Sequence, residues 1–458
     1  MSNESMRRDA WKIIRKTLKE AMPDQAVEKA LRARSFTKPV TLFSIGKAAW
    51  QMASAAERSL GNQIKQGIVL TKYGHSKGEI PRCEILEAGH PVPDANSVFG
   101  AQKMAGLARS LTQNDQVLFL ISGGGSALFE LPLVPLEELQ DITRQLLACG
   151  AEITEINLIR KRLSGVKGGR FAQLCAPAQV FSIVLSDVLG NSLESIASGP
   201  AAPDSSTSEQ ALEVVKKYGL RLSSRALEIL KEETPKTLEN SETVITGSVQ
   251  SLCESAARAA GELGYAPEIL TACLTCQAKE AGSFLAAVAQ WKKDHLTGKP
   301  AAVIVGGETV VELKGKGMGG RNQELALSAA RGLEGLPNAV LFSLGSDGTD
   351  GPTDAAGGIV DGETAGQLRQ QGIGIDRVLE ENDAYHALQK CGGLLMTGPT
   401  GTNVNDVAVL LLRLQKIKQP RIYPRLFFII QVYSIQWLLE REACRAADGN
   451  REILSSQA

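Results

Sequence analysis

Short apolar runs alternate along this chain with stretches whose apolar positions recur at helical spacing, the arrangement that yields parallel sheets in α/β folds. Trp11, Ile14 and Leu18 share one face of a helix predicted over residues 7–20. Pro39–Ile45 reads as a strand, followed after Gly46 by an alanine-rich helix over Lys47–Leu60. Val117–Ile121 reads as a buried strand that runs into Gly123, Gly124 and Gly125. Glu152–Leu163 is predicted as an amphipathic helix with Ile153, Ile156, Ile159 and Leu163 inward, and Val180–Leu185 as a strand ending at Ser186-Asp187. A polar stretch, Glu232–Ser241, is the best boundary. Beyond it the alternation restarts: strands at Thr243–Ile245, Ala301–Val305 and Ala339–Leu344, helices at Ser251–Leu263 and Gln323–Leu333.

Composition narrows the class. At roughly 150 residues per domain, 458 residues suggest two or three domains. The 43% hydrophobic and 22% charged fractions are those of an ordinary folded chain. Fifty basic against fifty acidic residues leave no net charge, which argues against a nucleic-acid partner. Eight cysteines without regular spacing read as reduced thiols. The one close pair, Cys273 and Cys276, lacks the second pair a zinc site needs. No apolar run approaches 18 residues, Leu426–Ile430 being the nearest, and no leader is evident at the N-terminus. A cytoplasmic protein with no membrane partner is expected.

In open α/β sheets, ligands bind beyond the carboxyl ends of the strands. Five predicted strand ends carry chemistry: Gly46-Lys47, Ser122–Ser126, Ser186-Asp187, Gly306-Gly307-Glu308, and the segment holding Asp347, Asp350 and Asp354. Ser122-Gly123-Gly124-Gly125-Ser126 offers several backbone N–H groups to an anion. It is no nucleophile elbow, since no glycine stands two residues after Ser126. Lys47 sits at the positive end of a predicted helix, a poor place for a cation unless an anion binds there. Arg160 and Lys161, with Asn157 and Ser164, lie opposite the apolar stripe of their helix, either a solvated face or a second cationic rim. Gly315–Gly320 matches G-x-G-x-x-G, but the ribose-binding acid of a dinucleotide site is missing, so phosphates suit it better, with Arg321 as a charged fork. Asp347 and Asp350 are candidate magnesium ligands beside phosphates. Asn403 belongs to a last cluster of small donors and acceptors, Thr397–Asp406.

These segments, together with Gly89-His-Pro-Val-Pro-Asp94, Ile196-Ala-Ser-Gly-Pro200, Gly317–Glu324, Asp350–Asp354 and Thr397–Asn405, closely resemble the glycerate 2-kinases, the class II glycerate kinases whose C-terminal part is called MOFRL. The resemblance spans about residues 7 to 413. It implies two α/β domains, a Rossmann-like one over 1–238 and a smaller MOFRL-containing one over 239–413, with the active site in the interdomain cleft. A tail over 414–458 has no family counterpart. The resemblance further implies transfer of the ATP γ-phosphoryl group to the 2-hydroxyl of D-glycerate with Mg2+. It assigns the functional lysine to Lys47, the acid to Asp187 and the arginine to Arg321. Ser122–Ser126, Arg160, Lys161, Glu308, Gly319, Gly320, Asn322 and Asn403 are then expected around substrate and nucleotide. Some family members have been labelled hydroxypyruvate reductases, so an NAD(P)H-dependent reductase is the alternative. Either a monomer or a homodimer is compatible with the sequence.

Overall fold

Burial decides the first sheet. Val40–Ile45 (β1), Gln116–Ile121 (β4) and Gln179–Leu185 (β5) are apolar, rich in β-branched and aromatic residues, and buried on both faces, as strands sandwiched between helices must be. Ile64–Lys72 (β2), Cys83–Ala88 (β3) and Ser241–Gly247 (β6) extend them outward. All pairings are parallel, in the order β3-β2-β1-β4-β5-β6. That is the doubly wound, Rossmann-type order, with its switch point between β1 and β4. Phe43, Phe119, Phe129 and Phe171 interlock on one face, their rings 4.9 to 6.2 Å apart and mostly edge-on. The computed structural model describes residues 3–296 and 298–413, so the tail expected from 414 lies outside the described residues.

The second sheet holds Ala266–Leu274 (β7), Ala301–Gly307 (β8), Ala339–Gly345 (β9), Gly357–Asp361 (β10), Leu394–Leu395 (β11) and Asp406–Leu412 (β12), in the order β11-β10-β9-β12-β8-β7. It is mixed rather than parallel. β12, the last strand in sequence, inserts antiparallel between β8 and β9. Its run Val407–Leu412 is buried throughout, so a central position on the sheet suits it.

Three expectations need correcting. β6 belongs to the first sheet, so a boundary at 238/239 would cut through that sheet; the polar stretch 232–241 is a loop leading into the sheet. Helix Asn3–Glu20 packs on the second sheet, with Met6, Ile13 and Ile14 against Val340, Phe342 and Val409. The chain therefore crosses between halves twice, near Ala21-Met22 and near Gly247-Ser248. Lastly, Ile153 is 68% exposed at the first turn of helix Ile153–Arg162, while Lys161, on the supposedly polar face, is buried together with Arg162.

Candidate active site

The switch point brings two strand ends together. Gly46 has φ +111°, and a Cβ there would lie 2.2 Å from Ser122 Oγ, so only glycine lets the ends of β1 and β4 approach this closely. Buried Ser122 ties the two: its Oγ accepts from the Ala48 N–H at 3.1 Å and donates to the Ile45 carbonyl at 3.1 Å. The Lys47 N–H donates to the Gly123 carbonyl at 2.9 Å, and His75 Nδ1 lies 3.0 Å from the Lys47 carbonyl. Among the described residues, the N–H groups of Gly123 and Gly124 have no acceptor and the Lys47 ammonium has no ion pair. The glycines also make room for side chains. A Cβ on Gly123 would lie 2.3 Å from Asp187 Oδ2; one on Gly124 would lie 2.9 Å from His90 Cδ2 and 3.2 Å from Lys47 Cγ.

Asp187 follows β5. Burial pushes its carboxyl above the ordinary range, the charge of Lys47 opposes that rise, and Glu308 from the second half adds to it. Glu308 accepts from Arg321 Nη1 at 3.1 Å. Arg321 is the first residue of helix Arg321–Leu333, and its Nε and Nη2 donate to the two oxygens of Asp406 at 2.5 and 3.1 Å. A cavity of about 400 Å³ opens between the halves. Lys47, Lys72, His75 and Gly123 line it from the first half, and Asp347, Thr349, Thr402 and Asn403 from the second.

Several sequence-predicted residues therefore share one crevice: Lys47, Ser122, Gly123 and Asn403 on its wall, with Gly124 beside Lys47 and Asp187 beside Gly123. Asp347 joins them on the wall, and Glu308, which holds Arg321, reaches Asp187 electrostatically. Others are committed to structure. Asp350 accepts from the backbone N–H groups of Asn322 and Gln323, at 3.1 and 2.8 Å, and so caps the helix that starts at Arg321. Asn322 is buried, and its side-chain oxygen accepts from Ser343 Oγ at 2.6 Å. The Gly315–Gly320 loop is no open phosphate cradle. Asn382 Oδ1 takes the N–H groups of Lys314 and Gly315, Asp383 takes that of Met318, and Gly320 packs on Asp350 with Gly319 against Ala384. Lys161 is buried in an ion pair with Asp204 at 2.8 Å. Arg160 Nη2 donates to the Ser126 carbonyl at 3.0 Å, supporting the glycine loop from behind. Ser126 Oγ lies 2.6 Å from Ser198 Oγ, and Gly125 packs on Ala197.

Lys72, His75 and His90 escaped the sequence reading as site residues. Burial, then the charges of Lys47, Lys72 and His75, hold the His90 imidazole below its usual range, a sign of how much positive charge gathers here. The signal was present: Lys72 ends β2, His75 follows it, and His90 lies in the Gly89–Asp94 motif.

A Rossmann-type sheet facing a second α/β lobe, with unpaired positive charge and free amides at the switch point, defines a two-lobed α/β protein with an electropositive crevice between its halves. Residues 9–231 match the model of a domain of unknown function, DUF4147, and residues 301–406 match the MOFRL family. A D-glycerate 2-kinase of Thermotoga maritima is 54% identical over 89% of this chain and 99% of its own length. A glycerate 2-kinase of Pyrococcus horikoshii is 42% identical over 81% of this chain and 87% of its own. A crystal structure of a glycerate kinase from Thermotoga maritima superposes with a TM-score of 0.87 at 53% identity, covering 90% of this chain and all of that one. The chain belongs to the glycerate 2-kinase family.

Among the described residues no helix is long and apolar enough to cross a membrane.

Proposed function

We propose that this chain transfers the γ-phosphoryl group of ATP to the 2-hydroxyl of D-glycerate, giving 2-phosphoglycerate and ADP. The observation that carries this reading is the meeting, in one crevice, of an unpaired lysine with a carboxyl group raised by burial. Both ligands are small anions, and phosphoryl transfer asks a protein chiefly for positioning and charge stabilisation. Lys47 and Arg321 would hold the glycerate carboxylate and the transferring phosphoryl group. The free N–H groups of Gly123 and Gly124 would take an anionic oxygen.

Asp187 would orient the 2-hydroxyl and accept its proton; a carboxyl raised toward neutrality is a better base than an ordinary aspartate. Magnesium is commonly held by one or two carboxylates together with phosphate oxygens. Asp347, on the crevice wall, fits that donor set, and a cation there would neutralise phosphate charge. Every named side chain comes from one chain, so this reading needs no second copy. Free thiols at the seven described cysteines are in keeping with a reducing compartment such as the cytoplasm.

The test is D-glycerate with Mg-ATP, following ADP and feeding the product straight to enolase. Phosphoenolpyruvate formed without an added mutase is the expected result. A product that needs a mutase first would be 3-phosphoglycerate and would refute the regiochemistry. NAD(P)H oxidation by hydroxypyruvate, with no ADP formed, would replace the kinase by a reductase.

A further inference from the structure

Arg321 and Asp187 come from different halves, yet two adjacent residues touch both. Asn405 Nδ2 donates to the Asp187 carbonyl at 3.2 Å, across the crevice. Asp406, the next residue and the first of β12, takes the side-on pair of hydrogen bonds from Arg321. Both are buried, at 4% and 6% exposure. Their backbone is pinned to the loop after β9: the Asn405 carbonyl accepts from the Ser346 N–H at 3.0 Å, and the Val404 N–H donates to Ser346 Oγ at 2.8 Å. Asn405 has φ +64°, a left-handed conformation that asparagine tolerates better than most residues, and it turns this residue toward one half while Asp406 serves the other. Glycines flank the site. Gly345, opposite Asp406 in the sheet, would put a Cβ 3.5 Å from Asp406 Oδ1.

We propose that Asn405 and Asp406 are a single positioning unit, in which Asn405 fixes the Asp187 segment and Asp406 aims the Arg321 guanidinium, so that one strand start sets the two reacting walls against each other. This rests on the kinase reading for its activity readout. A guanidinium has five N–H donors; Asp406 takes two and Glu308 a third, which leaves two for a substrate anion. Removing Asp406 does not remove the positive charge. It frees that charge to rotate, so the loss falls on the chemical step.

The experiment is a double-mutant cycle. Asp406→Asn keeps shape and should lower kcat ~30-fold while KM for ATP moves less than ~3-fold. In an Arg321→Ala background the same substitution should add less than ~3-fold, because residues acting through one another are not additive. Asp406→Glu should recover part of the loss. Asn405→Gly keeps the left-handed backbone without the amide and should lower kcat ~10-fold. Losses that multiply in the Asp406/Arg321 cycle, or full kcat in Asn405→Gly, would overturn the proposal.

A readout independent of substrate accompanies it. The Arg321 Nε–H should be protected from exchange in 15N spectra of the wild type and unprotected in Asp406→Asn. Equal protection in both would overturn the role of Asp406. A wild type inert toward glycerate but with the protection difference intact would sink the kinase reading alone and uphold the positioning claim.

Discussion

Two cationic clusters in this molecule look alike in sequence and differ in what surrounds them. Lys161 and Arg162 are buried with their charges answered. Asp204 receives Lys161 at 2.8 Å and Arg162 at 3.5 Å, and Glu233 takes Arg162 at 3.1 Å. Thr234 and Ser206 hydroxyls complete the Asp204 shell at 2.8 Å each. Lys47 has no such answer among the described residues, and beside it Asp187 keeps a carboxyl raised by burial. A buried charge left alone is expensive, so a network closed on itself reads as architecture. An unpaired charge facing an open crevice instead raises the local potential that draws anions in.

That contrast breaks most severely if Asp204→Ala is harmless. The substitution takes from buried Lys161 its closest carboxylate and leaves buried Arg162 with Glu233 alone, and should destabilise the fold by about 3–5 kcal/mol, measured by urea denaturation, with KM of the folded protein unchanged. Burial alone would raise the Asp204 carboxyl, but hydrogen bonds from Lys161, Thr234 and Ser206 bring it down to about 2. Its contribution is therefore present above the ordinary aspartate range near 3.9 and is lost as pH falls toward 2. Asp204→Asn should flatten acid unfolding over that window.

Next in size, Lys47→Ala should lower kcat/KM at least ~100-fold with a melting temperature close to wild type, the reverse of Asp204→Ala; Arg321→Ala should lower kcat/KM as far and also lose stability, because it leaves Asp406 buried without its guanidinium. Activity near the wild-type level in either variant would remove that residue from its assigned role. The pH profile sharpens the point. If Asp187 is the base, activity falls as pH drops through its pKa. The Lys47 charge lowers that pKa, so in Lys47→Met the acid limb should move to higher pH. An unmoved limb would detach Lys47 from Asp187. The smallest effect is expected at Cys273 and Cys276, both exposed and free. Changing each to Ser should alter kcat/KM by less than ~2-fold, as would not be true of a metal or redox pair.

Strand ends were legible because an apolar run followed by glycine is a local signal. Lys47, Ser122–Gly124 and Asp187 were found that way, and the six strands predicted all form. Pairing is not local. Asp204 lies 43 residues from Lys161 and Asp406 lies 85 from Arg321, so nothing near Lys161 distinguishes a closed network from an anion rim. Asp350 misled for the same reason. Its Asp-Gly-Pro-Thr-Asp turn suggests a cation loop, yet its oxygens cap a helix 28 residues back in sequence. The mixed second sheet was hidden as well, since the insertion of β12 between β8 and β9 depends on partners, not on its own pattern.

The most direct test is a crystal structure with D-glycerate and a non-hydrolysable ATP analogue. The glycerate carboxylate or the terminal phosphate should lie within ~4 Å of the Lys47 ammonium, with Asp187 in hydrogen-bonding reach of the 2-hydroxyl, about 2.6–3.2 Å. Both ligands bound away from the crevice, with Lys47 still facing solvent, would contradict it.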